Sequence, residues 1–310
     1  MKTQTFRKAR RGFTLLELMV AMAITSVIVT VLVTITSVAT DTWTRSRSET
    51  RAARQAKVML DAMAKDLESL VSRRGSDSEW LYASISSLNA PKVVSSQSGD
   101  TNAAELIFTT AATDRYAGQI GDSFPANVGD VSTAAYRLAY QDPIDGSQNR
   151  DTSTFALYRL LVDPDETFDK ILGAKDLDTA FNTFSGRLTE EQNFVCENVH
   201  QFTVTFLVEV TPAATGSGTA PKPKIVRLTL SSDNSTGEFR LKGTGIETNI
   251  STAAATAAEI SAGRLTGIEL SMSVLSDAGL ARMAGGQGLK PEDYARNVYH
   301  YSRVVNVPSM

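Results

Sequence analysis

The sequence predicts an α+β protein: one long N-terminal helix, membrane-spanning in its first half, packed on an antiparallel β-sheet domain. Three observations carry this. No proline or glycine interrupts residues 13–74. Residues 18–40 contain no charged side chain. Farther on, apolar and polar residues alternate with the period of two that half-buried antiparallel strands require. A helix with one apolar stripe and a sheet with one apolar face satisfy each other's burial. The expected organisation is a basic leader over 1–12, a transmembrane and amphipathic helix over 13–75, and a β-rich globular domain with loop insertions over 76–310.

The leader carries Lys2, Arg7, Lys8, Arg10 and Arg11 and no acid. The whole chain has a formal net charge of −3. Past Gly12 it holds 26 basic against 34 acidic residues, a net charge of about −8. That balance speaks against nucleic acid as a partner. The single cysteine, Cys196, excludes an intramolecular disulfide, and with only His200 and His300 a His/Cys zinc centre is not expected. Cys196 reads as a small buried apolar residue.

The charge-free run 18–40 has 23 residues, roughly 35 Å as a helix, enough to span a bilayer. Its threonines and serines can bond back to helix carbonyls. The basic leader places the N-terminus of the span in the cytoplasm and the chain beyond Asp41 outside. A cleaved secretory signal has a shorter apolar region, followed by a small-residue cleavage site. A plain membrane anchor fits the length. Neither accounts for Glu17, a costly acid at the start of a span that offers no Lys or Arg between Phe13 and Asp41.

The stretch Arg10-Arg11-Gly12-Phe13-Thr14-Leu15-Leu16-Glu17 closely resembles the type IV prepilin motif: glycine, then phenylalanine, then glutamate at the fifth mature position. The resemblance implies that prepilin peptidase cuts between Gly12 and Phe13. It also implies that the new amine of Phe13 is N-methylated. In a filament, Glu17 of one subunit would then neutralise the Phe13 amine of another, since two buried charges are tolerated when paired.

Ala52, Ala56, Met59, Leu60, Met63, Leu67 and Leu70 continue the helix as one apolar stripe at three- and four-residue steps. The pattern predicts a helix over about 13–73 that stops at Gly75. Asp61 and Lys65 form a favourable i,i+4 pair. Arg45, Arg47, Arg51 and Arg54 form a basic patch past the span. It reads as a solvated face near lipid head groups or as a contact for an acidic neighbour.

Strands are expected at Leu106–Thr110, Tyr136–Tyr140, Thr154–Val162, Phe202–Val210, Ile225–Leu230 and Ile268–Val274. Ser84–Asn102, Thr211–Pro223 and Gly243–Gly263 are rich in small and turn-forming residues and read as loops. The order of pieces is also similar to the minor pseudopilins called the J component of type II secretion, and to W-type minor pilins. The matching pieces are Ala135–Leu138, Leu157–Arg159, Val199–Val210 and Leu265–Val274. This chain is longer than a typical member, mostly in 80–130 and 211–264.

There is no GxSxG, HExxH, P-loop or CxxC, so no enzyme is expected. No cofactor is expected either, apart from a weak calcium candidate. Asp163, Asp165, Glu166 and Asp169 surround Pro164, and oxygen ligands so spaced could hold calcium; the resemblance adds that some pseudopilins bind it. The same residues fit a solvated turn capping a helix at Phe168–Ala174. Asp142-Pro143-Ile144-Asp145-Gly146 reads as a turn. Tyr294, Tyr299, His300 and Tyr301 suit an edge strand or a partner surface. The resemblance implies a minor pilin or pseudopilin of the bacterial inner membrane with a periplasmic domain. Its implied partners are prepilin peptidase, other minor subunits and the major subunit. A membrane-tethered binding module that never assembles is the alternative.

Overall fold

The computed structural model describes residues 13–95, 102–111, 130–149, 152–212, 222–231, 236–283 and 288–308. The chain divides into two units, Met1–Thr50 and Arg51–Met310. Helix α1 runs from Leu15 to Glu68. Within the first unit its residues 18–40 carry no charge and are exposed, and α1 is long and apolar enough to cross a membrane. Thr25, Thr30, Thr34, Thr36 and Thr40 each donate to the carbonyl four residues back, at 2.7–2.9 Å. Every hydroxyl of that series is thereby satisfied inside the helix, as a lipid environment demands.

In the second unit the described residues form two antiparallel sheets. The strands are β1 (Glu79–Ser87), β2 (Asn102–Thr110), β3 (Ser132–Gln141), β4 (Thr154–Val162), β5 (Phe194–Glu197), β6 (Val199–Val210), β7 (Lys224–Leu230), β8 (Glu238–Lys242), β9 (Gly245–Thr248), β10 (Arg264–Leu275) and β11 (Val298–Asn306). One sheet has the order β5-β4-β3-β2-β1-β8-β9 and the other β11-β10-β6-β7. The stripe Ala52, Ala56, Met59, Leu60, Met63, Leu67 and Leu70 is buried in one core with the inner residues of both sheets. Each buried Leu or Met of that stripe contributes roughly 1.5–3 kcal/mol.

The other face of the larger sheet is covered as well. Short helices α2 (Pro164–Lys170), α3 (Leu177–Phe181) and α4 (Ser185–Leu188) lie in this region. Ile171, Leu177, Phe181, Phe184 and Leu188 pack there against Tyr82, Ile107, Tyr158 and Val162. The buried Glu79 carboxylate accepts from the Leu177 backbone N–H at 2.6 Å and ties α3 to β1. Burial holds the Glu79 carboxyl above the usual carboxylate range.

All six expected strands are present. β1 was not expected, because its first five residues are buried on both faces and do not alternate. β5, β8 and β9 are too short for a period to register. The expected loop at Ser84–Asn102 begins four residues inside β1, and 96–101 fall outside the described residues. Most of Thr211–Pro223 falls outside them too. The expected loop at Gly243–Gly263 instead holds β9 and helix α5 (Ala257–Ser261), which opens on a capping box of Thr256 and Glu259.

The long helix ends at Glu68 rather than near residue 73. Strand partners stop it: Leu70 bridges Thr110, and the Val71 N–H donates to the Thr109 carbonyl at 3.0 Å. Gly75 takes a positive φ of 90°, but in a turn seven residues later. Helices α6 (Asp277–Met283) and α7 (Pro291–Asn297) precede β11, an edge strand carrying Tyr299, His300 and Tyr301.

Candidate functional site in the N-terminal helix and its anchorage

Phe13 lies just before α1 and is 90% exposed. Thr14 caps the helix. The Thr14 N–H donates to Glu17 Oε2 at 2.9 Å, its hydroxyl donates to the same oxygen at 3.0 Å, and the Glu17 N–H donates to Thr14 Oγ1 at 3.2 Å. This is a reciprocal capping box that satisfies orphan donors of the first turn. The span offers Glu17 no cation, but half of its carboxylate is engaged locally by Thr14. The signal was present as Thr-x-x-Glu before an apolar run. Among the described residues Oε1 accepts no hydrogen bond. Gly12 and the leader lie outside the described residues.

In the second unit α1 is held by a buried polar knot that the sequence reading missed. Asp66 is fully buried. Its Oδ2 accepts from the Tyr136 hydroxyl at 2.5 Å and from Arg159 Nε at 2.8 Å, and Arg159 Nη2 stands 2.7 Å away. Burial, together with the Asp66 charge, raises the Tyr136 hydroxyl far above its ordinary range, so it stays a donor. A signal existed: Asp66 falls three residues after Met63 and seven after Met59, on the apolar stripe itself.

The arginine patch is put to two uses. Arg51 bridges Glu197 and Asp277, the latter at 2.8 Å. The Arg47 guanidinium lies over the Trp43 ring, 5.5 Å from its centroid. Asp61 pairs with Arg303 on β11.

The calcium candidate does not assemble. Glu166 is taken by Arg187 at 2.8 Å and Lys170 at 3.3 Å, which hold its carboxyl below the usual range. Asp163 and Asp165 open α2 at Pro164, several residues before the expected helix start at Phe168. Proline at the first helical position explains that start. Among the described residues no three acidic, cysteine or histidine groups converge as metal ligands.

Cys196 is buried, and burial pushes its thiol up to about 12, so it is inert. His200 is buried between the Ser273 carbonyl, to which Nδ1 donates at 3.0 Å, and the Tyr294 hydroxyl at 3.2 Å. Ser273 Oγ lies 2.8 Å from His300 Nδ1 and donates to Gln201 Oε1 at 3.1 Å. The group ties β6, β10 and β11 together.

A long apolar helix followed by antiparallel sheets, joined to a lone acid in the first helical turn, defines a pilin-like α+β protein. Residues 7–33 match the family model described as the prokaryotic N-terminal methylation motif. That motif marks a prepilin-like chain and implies processing by prepilin peptidase and assembly with other pilins. Neither the curated proteins nor the solved structures gave a match.

Proposed function

We propose that the chain is a minor pilin or pseudopilin, a structural subunit that enters or initiates a type IV pilus or a type II secretion pseudopilus. Prepilin peptidase cuts between Gly12 and Phe13, and the new Phe13 amine is methylated. Residues 13–75, which include α1 (Leu15–Glu68), form the membrane and filament segment, and 76–310 form the periplasmic domain. The single observation that carries this reading is the methylation motif at 7–33, set over a helix whose span holds no charge.

The chemistry follows from Glu17. A carboxylate in lipid is costly unless it is paired. Thr14 occupies only Oε2, which leaves Oε1 for the Phe13 amine of a neighbouring subunit. This pairing sets register as well as attraction. The Glu17→Ala chain should insert and be cleaved normally but enter sheared filaments at a small fraction of the unsubstituted level. Normal incorporation of that variant would refute the pairing.

A further inference from the structure

A cleft of about 820 Å³ opens in the globular unit. Tyr140, Ile144, Phe194 and Leu280 give it apolar walls. Ile144 is 75% exposed, a large apolar side chain left facing water. The lining also includes four carboxylates: Asp142, Glu191, Glu197 and Asp277. Arg51 engages the last two. Among the described residues no cation pairs with Asp142 or Glu191.

One wall of this cleft is tied in place by side-chain hydrogen bonds. Asn198 is buried with φ +63°, in the left-handed region that non-glycine residues seldom occupy. Its Oδ1 accepts from Thr154 Oγ1 at 2.9 Å, and its Nδ2 donates to Asp277 Oδ1 at 3.0 Å. A surface fixed in advance binds at a lower entropic cost.

Apolar walls bearing unneutralised carboxylates suit an aromatic side chain flanked by guanidinium groups. The chain itself carries such a segment. Trp43 is 64% exposed, with Arg47 over its ring and Arg45 beside it in sequence. Tryptophan and arginine are the residues most often found as interface anchors, and a tryptophan buries roughly 150–250 Å².

We propose that the cleft receives the Trp43–Arg47 segment of a second copy of this chain, with Arg45 and Arg47 set against Asp142 and Glu191. The proposal rests on the reading of the chain as an assembling subunit. Two different surfaces mate, so the contact is heterologous and leaves one of each free on the pair for a further copy.

The test uses the full chain in assembling membranes. One copy carries Ile144→Cys, the other Thr44→Cys, and a short bismaleimide links them; buried Cys196 stays silent. Linked pairs are expected only when both cysteines are present. Asp142→Lys with Glu191→Lys should lower the linked yield on the order of tenfold, and Arg45→Glu with Arg47→Glu on the other copy should restore it. A processed, incorporated chain that gives no link, or a yield indifferent to charge reversal, overturns the proposal alone. So does an Arg45→Glu, Arg47→Glu chain that loses binding to anionic-lipid vesicles yet links as before, since the segment would then serve head groups. A chain that still begins at Met1 removes the assembly reading and this proposal with it.

Discussion

Asp66 and His200 are buried in the globular unit, and each contributes to its stability in a way that can be measured. Asp66 joins α1 to β3 and β4 through Tyr136 and Arg159. Replacing one partner of a buried charge pair leaves the other uncompensated, at a cost of about 3–5 kcal/mol. Asp66→Ala should therefore shift urea unfolding of the full chain in detergent by that amount, and a loss under ~1 kcal/mol would contradict the role. His200 gives a pH signature. Burial first, and His300 to a smaller degree, lower its pKa to about 4, against the Ser273 hydrogen bond that favours the charged ring. Its ordinary value is about 6.5. Between those pH values the unfolded chain binds a proton that the folded chain refuses. Stability should therefore fall as pH drops from about 6.5 to about 4, by up to about 3 kcal/mol, and this contribution should be flat above. His200→Gln should abolish that part of the slope in urea titrations at pH 7 and pH 4.5. Parallel slopes for the two proteins would refute it.

At the scale of elements, the membrane half of α1 was legible because lipid leaves a chain few options: an uncharged run of spanning length is a helix. The apolar stripe after Arg51 was legible for the same kind of reason, since its period matches only a helix. Glu17 was recognised as exceptional, but its cap on Thr14 was overlooked. β1 escaped because burial on both faces erases alternation, and α3 and α4 because five and four residues cannot display a helical period; α2 was expected, but at Phe168–Ala174 rather than from Pro164. β9, read as part of the Gly243–Gly263 loop, pairs with β8 through a turn fixed by backbone proximity that no sequence pattern reports. A Cβ on Gly243 would lie 2.5 Å from the carbonyl oxygens of both Arg73 and Ser76. Gly243→Ala should accordingly cost about 1–3 kcal/mol, visible as a lowered urea midpoint. An unchanged midpoint would mean that the 73–76 segment yields freely.

At the scale of the whole molecule, one helix serves two solvents. Its first half meets lipid with every threonine of the series satisfied internally, and its second half belongs to the core of a disulfide-free β domain. On the proposed reading, the acid in the first turn gains full value only when another chain brings a cation to it. That requires a free amine at Phe13, which no chain retaining the leader possesses. Mass spectrometry of the N-terminal peptide from native membranes tests this most directly. The account predicts a peptide that begins with N-methylated Phe13. A peptide that begins with Met1, or one cut beyond the span near Thr40, would contradict it.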